Sequence, residues 1–292
     1  MEVVPGRRVG VARRLLPVDR VLLGYLAIVT VVAIARAPSR PELWWLLPAH
    51  ALFLVLVVLL RSKPLGPFGR ALGEIYPLLL LVGLYAEIGI LNSGGVRVHD
   101  ALVQRWEMAL FGAQVSTEWW RSAPSRFWST VLHAAYFCYY LIVTVPAVVF
   151  LSRGRIEEAR HFVLVVMITF VSCYLVFLFF PVAGPYYVFA HPAAWFIDNG
   201  PARLVYATLA AGSSYGAAFP SSHVAGAVAA TVAAWRGSRR LGLALVIPTL
   251  LLTLGVVYCQ MHYGVDALAG GALGSILGKG ALGTGKGERE DW

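Results

Sequence analysis

Charge is scarce in this sequence: only 13% of its 292 residues are Asp, Glu, Lys or Arg, against about 25% in an ordinary soluble domain. That shortage excludes a water-soluble globular fold. Cysteine is almost absent as well, with three residues, Cys138, Cys173 and Cys259. All lie inside apolar stretches, so they read as small buried hydrophobes and exclude a disulfide framework or a cysteine metal cage. No internal repeat is present. The first hydrophobic segment lacks the small-residue cleavage site of a secretory signal, and it is expected to stay as an anchor.

What is present in excess is hydrophobic sequence, 59% of the chain, with a mean hydropathy of +0.71. A spanning helix needs roughly 20 mostly apolar residues. Eight segments near that length are predicted, at about 20–36, 43–60, 72–91, 128–150, 161–180, 221–235, 241–259 and 262–279. The expected fold is all-α, a polytopic membrane bundle of about eight transmembrane helices. Residues 1–70 are expected to form a basic segment and two helices, 71–280 the membrane core, and 281–292 a tail.

The net charge of +9 is a topological signal and not a nucleic-acid footprint. With a cytoplasmic N-terminus, eight crossings leave only Arg36, Arg40, Arg97, Arg105, Arg121, Arg126 and Arg203 outside. The other lysines and arginines, among them Arg7, Arg8, Arg13, Arg14, Lys63, Lys286 and Arg289, fall inside, as the positive-inside rule asks. Both termini are therefore expected in the cytoplasm. His223, His262 and Asp266 fall at the outer, extracytoplasmic or lumenal face.

Two outer loops are long. In the first, Asp100 to Gly112 carries apolar residues at helical spacing, an acidic start and a terminal glycine, which predict an interfacial helix. Trp119, Trp120 and Trp128 are expected at headgroup depth. The second loop opens with Phe180-Pro181-Val182-Ala183-Gly184-Pro185-Tyr186-Tyr187, a Pro/Gly series that ends a helix and turns the chain.

The chemistry concentrates in two short segments, Pro220-Ser221-Ser222-His223 and His262-Tyr263-Gly264-Val265-Asp266. His262 and Asp266 are four apart, a spacing that places both on one helical face. A carboxylate beside an imidazole holds one ring nitrogen protonated and frees the other as nucleophile or base. Ser221 and Ser222 fall at a helix start, where unpaired N–H groups and the helix dipole favour an anion such as phosphate. With His223 beside that cradle, one imidazole can attack phosphorus while the other protonates the leaving oxygen. The spacing of His133 from Tyr136, Tyr139 and Tyr140 gives it a candidate substrate-facing role. His50, His99, His161 and His191 are expected to be structural. Glu87, near the outer end of a spanning segment, reads either as functional or as snorkelling to the interface.

At these residues the sequence resembles the type-2 phosphatidic acid phosphatase superfamily, through its Pro-Ser-x-His segment (Pro220 to His223) and its His-x-x-x-Asp segment (His262 to Asp266). It looks closer to the branch that includes the inositol phosphorylceramide synthases, through Tyr258 to Gly270 and Phe180 to Pro185, with Glu87, Asp100 and Phe111-Gly112 upstream. The resemblance covers roughly residues 85 to 280. It implies His262 as nucleophile, Asp266 as its orienting partner, His223 as general acid, and Ser221 and Ser222 as phosphate-binding residues.

The departures from the family pattern concern cations. The family's Ser-Arg pair before the nucleophile falls on Gly255 and Val256, and the Arg that often follows Gly-Pro in the related branch is Tyr186 here. Phosphoryl transfer spreads negative charge that needs compensation. Arg203, with Arg126 behind it, is the cation expected to serve, and Tyr186, Tyr258 and Gln260 are expected to donate neutral hydrogen bonds. No cofactor is required, because a histidine supplies the nucleophile directly. A haem or metal site would need paired histidines on facing helices at mid-membrane depth.

The function so implied is transfer of a phosphoryl-linked headgroup to a lipid alcohol through a phosphohistidine. The alternatives are a phosphatase acting on a lipid or polyprenyl phosphate, and a silent lipid binder or carrier. The expected partners are membrane lipids, whether phospholipid, sphingolipid or polyprenyl phosphate.

Overall fold

A computed structural model describes residues 15–62 and 66–280; Lys63 and the terminal cations counted above lie outside them. Thirteen α-helices are present among the described residues: α1 (Pro17–Arg36), α2 (Leu46–Ser62), α3 (Pro67–Asn92), α4 (Asp100–Phe111), α5 (Val115–Ser122), α6 (Arg126–Ser152), α7 (Ile156–Phe179), α8 (Pro185–Val188), α9 (Ala194–Ile197), α10 (Gly200–Gly212), α11 (Ser222–Gly237), α12 (Arg239–Tyr258) and α13 (Gly264–Gly280). The only β-type pairing among them is a single parallel bridge between Val182 and Ala217.

Six helices are long and apolar enough to cross a membrane: α1, α2 with the 3-10 turn Pro41–Trp45 before it, α3, α6, α7 and α12. Six of the eight expected spans therefore meet the length and hydropathy of a crossing helix. The remaining two, α11 and α13, have 16 and 17 residues, about 24–26 Å at 1.5 Å per residue, short of a hydrocarbon core of about 30 Å.

Those two short helices share the most extensive helix–helix contact among the described residues. Gly270, Gly274 and Gly278 recur every fourth residue on one face of α13. A β-carbon on Gly270 would lie 2.5 Å from the Ser221 carbonyl oxygen, on Gly274 2.4 Å from that of Ala225, and on Gly278 2.9 Å from Val232 Cβ. Only glycine lets the backbones come so near, which in a membrane is a main source of helix association. On its other sides α11 meets α6, α7 and α12, and its alanines from Ala225 to Ala234 are buried. Gly255 of α12 is set by the same logic, since a β-carbon there would lie 2.9 Å from the Leu132 carbonyl oxygen. This contact explains why a serine does not stand at that position.

The N-terminal helices are joined by buried polar groups that satisfy one another, as groups removed from water must. Arg61 makes a two-pronged pair with Asp19 (2.7 and 2.9 Å), and Tyr76 donates to the same carboxylate at 2.6 Å. Thr30, His50 and Glu87 form a chain of 2.6 and 2.8 Å bonds. Glu87 is buried against His50, so it neither snorkels nor faces a substrate.

The first long loop folds as expected in one respect: α4 starts at Asp100 and ends on Gly112 at φ +70°. It differs in that Asp100, Val103 and Glu107 are buried, so one face of α4 is a brace against the core. Trp120 is also buried, with its indole N–H on Gln260, while Trp128 is half exposed. The second loop holds more structure than its Pro/Gly series predicts. In particular α10 starts on Asn199, whose side chain accepts the Ala202 N–H at 2.9 Å.

Candidate active site

The two histidine segments meet where α11 and α13 begin. Ser221 is the N-cap of α11, its side chain accepting the Val224 N–H and its own N–H donating to the Asp266 carbonyl at 3.0 Å. His223 therefore lies in the first turn, where N–H groups have no intrahelical acceptor. Its Nε2 is 3.1 Å from the Tyr136 hydroxyl, and its ring packs between Tyr136 and Tyr139 with centroids 4.8 and 4.7 Å away. Its Nδ1 is buried with no partner among the described residues.

His262 sits in the turn Cys259–Tyr263 that joins α12 to α13, and not on the helix itself. Met261 and His262 both donate their N–H to the Val256 carbonyl, at 2.9 and 2.8 Å, which closes the turn. His262 Nδ1 is 3.0 Å from the Ala218 carbonyl oxygen and 3.4 Å from Asp266 Oδ2. A carbonyl oxygen only accepts, so Nδ1 carries the proton and Nε2 presents its lone pair. Asp266 is beside the ring as the sequence leads one to expect, but its Oδ2 also accepts the Tyr263 N–H at 2.8 Å, a capping-box bond, and the nearer partner of the imidazole is a backbone carbonyl. Burial pushes the His262 pKa down to about 4, the Ala218 bond opposing this. The His223 and His262 rings face one another at 5.9 Å.

That carbonyl is itself positioned. Val182 N–H donates to Gly216 O at 3.1 Å and Ala218 N–H to Val182 O at 2.9 Å, tying the strap after α7 to the segment before α11. Asp100 holds the strap, accepting the N–H groups of Ala183 and Gly184 at 2.8 Å each and the Tyr263 hydroxyl at 3.0 Å. Glu107, which sequence reasoning missed, accepts the N–H groups of Gly264 and Val265 at 3.0 and 2.9 Å. The N-terminus of α13 is thus filled by the protein's own carboxylates.

The expected supporting residues fare differently. Ser221, Ser222, His223, His262 and Asp266 are brought together. Tyr258 is not free to donate to a substrate, because its hydroxyl donates to the Ala123 carbonyl at 2.8 Å. Gln260 is buried with both ends used, accepting from Trp120 at 3.0 Å and donating to Ala190 at 2.8 Å. His133 is fully buried, its Nδ1 2.7 Å from the Ser129 carbonyl, and its helix neighbour Tyr136 is the residue that meets His223. Tyr186 stacks on His191 at 4.9 Å and lies beside Tyr206.

Arg203, expected as the compensating cation, is already paired. It is 71% exposed and bonded to Asp198, which Arg126 also meets, and its hydrogen bond holds that carboxyl below the usual range. Arg203 and Asp198 line an open cavity of about 400 Å³ with Trp195 and Tyr206. Among the described residues, no arginine or lysine hydrogen-bonds to His223, His262, Ser221 or Ser222.

The PAP2 superfamily model matches residues 102–277, from α4 through α13, and so includes both histidine segments. No curated protein and no solved structure matches the chain. The chain belongs to the PAP2 superfamily and is an integral membrane enzyme of the lipid phosphatase or phosphotransferase type.

Proposed function

We propose that this enzyme transfers a phosphoryl-linked headgroup from a phospholipid to a lipid alcohol, through a covalent phosphohistidine on His262. The observation that carries the reading is the state of His262: its Nδ1 is 3.0 Å from the Ala218 carbonyl oxygen and 3.4 Å from Asp266 Oδ2, its Nε2 has no hydrogen-bond partner among the described residues, and its ring centroid is 5.9 Å from that of His223. Burial and the neighbouring His262 lower the His223 pKa to about 3, so His223 takes up a proton as the anionic phosphate enters beside it; Nε2 of His262 attacks phosphorus, the P–O bond to the leaving alcohol breaks, and His223 gives that oxygen its proton. The entering lipid hydroxyl then loses its proton to His223 while its oxygen displaces the imidazole, which restores both histidines. Ser221, Ser222 and the first N–H groups of α11 receive the phosphoryl oxygens.

Transfer is favoured over hydrolysis of a monoester by charge. Asp100, Glu107 and Asp266 gather around the start of α13, and among the described residues no arginine or lysine is hydrogen-bonded to the histidines or serines to offset a dianion. A phosphodiester carries one negative charge where a monoester carries about two, so the diester is the donor that fits. The charge distribution of the loops supports an active site on the extracytoplasmic or lumenal side, and the motif context supports kinship with the inositol phosphorylceramide synthase branch. The test compares headgroup exchange from phospholipids with phosphate release from lipid monoesters, by mass spectrometry, for wild type and His262→Ala. Exchange that disappears in His262→Ala is the expected result; exclusive monoester hydrolysis overturns the assignment.

A further inference from the structure

The turn that carries His262 is anchored on both sides by one face of α4. Asp100 and Glu107 are seven residues apart, two helical turns, and so point the same way. Asp100 holds the strap Ala183-Gly184, and through Val182 the Ala218 carbonyl that accepts the His262 proton. Glu107 holds the other side: it is fully buried, its two oxygens divide between the first N–H groups of α13, and among the described residues no arginine or lysine forms an ion pair with it. Removing a carboxylate from water is costly, and here a helix N-terminus 157 residues away receives it. Gly264 is also required by this contact, since a β-carbon there would lie 2.9 Å from Phe111 and 3.3 Å from Glu107 Oε1.

We propose that Glu107 is a positioning residue for phosphoryl transfer. By holding the start of α13 it fixes the turn Cys259–Tyr263, and so presents Nε2 of His262 in one tautomer and one orientation toward His223. The inference rests on the reading of His262 as nucleophile. A glutamine at this position has one acceptor oxygen, and its amide N–H groups would meet the helix N–H groups head on, so one of the two bonds is lost.

The test uses the full chain in phospholipid nanodiscs, as wild type, Glu107→Gln, Glu107→Asp and His262→Ala, with two readouts. The first is ¹⁵N NMR of the histidine rings, His262 being assigned from the His262→Ala spectrum. Wild type is expected to show a single Nδ1–H tautomer, and Glu107→Gln a mixture. The second is steady-state headgroup transfer in mixed vesicles of phosphatidylinositol, phosphatidylethanolamine, ceramide and diacylglycerol. There Glu107→Gln is expected to lower kcat about 10- to 100-fold, the loss typical of small misplacement, with KM changed less than about 2-fold. Glu107→Asp, which keeps the charge but has a shorter reach, should fall between, and it also serves if the glutamine variant does not fold. Wild-type ring signals and kcat in the variants, or a loss of thermal stability alone, would overturn the proposal. If wild type and His262→Ala are equally inactive, the functional reading fails, while the tautomer readout still decides the positioning role.

Discussion

The imidazole of His262 lies closer to the carbonyl oxygen of Ala218, at 3.0 Å, than to the carboxylate of Asp266, at 3.4 Å. A backbone acceptor cannot be protonated at working pH, and this one survives replacement of the Asp266 side chain, so the tautomer of His262 is held even when that carboxylate is changed.

Replacing Asp266 should therefore be milder than replacing the nucleophile. His262→Ala is expected to abolish transfer, whereas Asp266→Asn should cost only about 10-fold in kcat/KM, far less than the roughly 10⁴-fold seen where a carboxylate is the sole orienting group. Equal losses in the two variants, measured side by side, would show that Ala218 does not carry the tautomer.

The acid behaviour of His262 has a definite sign. Burial lowers its pKa from the ordinary 6.5 to about 4, so between those values the unfolded chain binds the proton more readily than the folded one. Stability supplied by this group is full above about pH 6.5 and is lost as pH falls toward 4, and the neutral nucleophile persists through the same window. A chemical-shift titration of His262 gives the value directly, and a midpoint near 6.5 would contradict the burial seen here.

Glycine substitutions on α13 should separate by position. Gly274→Ala places a β-carbon 2.4 Å from the Ala225 carbonyl oxygen, while at Gly271 the nearest atom is 3.9 Å away. Gly274→Ala is expected to destabilise by about 1–3 kcal/mol, the usual cost of overpacking, and to lower activity as the histidine rings separate. Gly271→Ala should match wild type in thermal unfolding and in rate.

Exposed cations should matter little to the chemistry. Arg203 is tied to Asp198 and largely solvent-facing, so Arg203→Gln is expected to change kcat less than about 2-fold, in line with the small worth of surface ion pairs. A loss of 100-fold, with folding intact, would restore it as the phosphate-compensating group.

Much of this molecule was legible because its signals are local. Helix starts at Ser221 and near His262 announce themselves through capping chemistry a few residues long, and α4 shows its acidic start and glycine stop in sequence. The Asn199-Gly200-Pro201 start of α10 was equally readable, as a capping residue followed by a proline in the first turn. Glu107 was not, because its partners are backbone N–H groups on another helix and leave no trace in side-chain pattern. Tyr258 and Gln260 were misassigned for a related reason: the groups that take their hydrogen bonds, Ala123, Trp120 and Ala190, lie far away in sequence. Hydropathy alone likewise could not distinguish α11 and α13 from full spans, since a run of alanine and glycine buried by neighbouring helices is as apolar as one facing lipid.

The close approach of those two helices has a mechanical consequence. They approach at backbone distance at Gly270 and Gly274, whereas the six longer helices are long and apolar enough to cross a bilayer. Ser221, two residues before His223, meets Gly270, four residues after Asp266, so whatever separates α11 from α13 also pulls the two histidine segments apart.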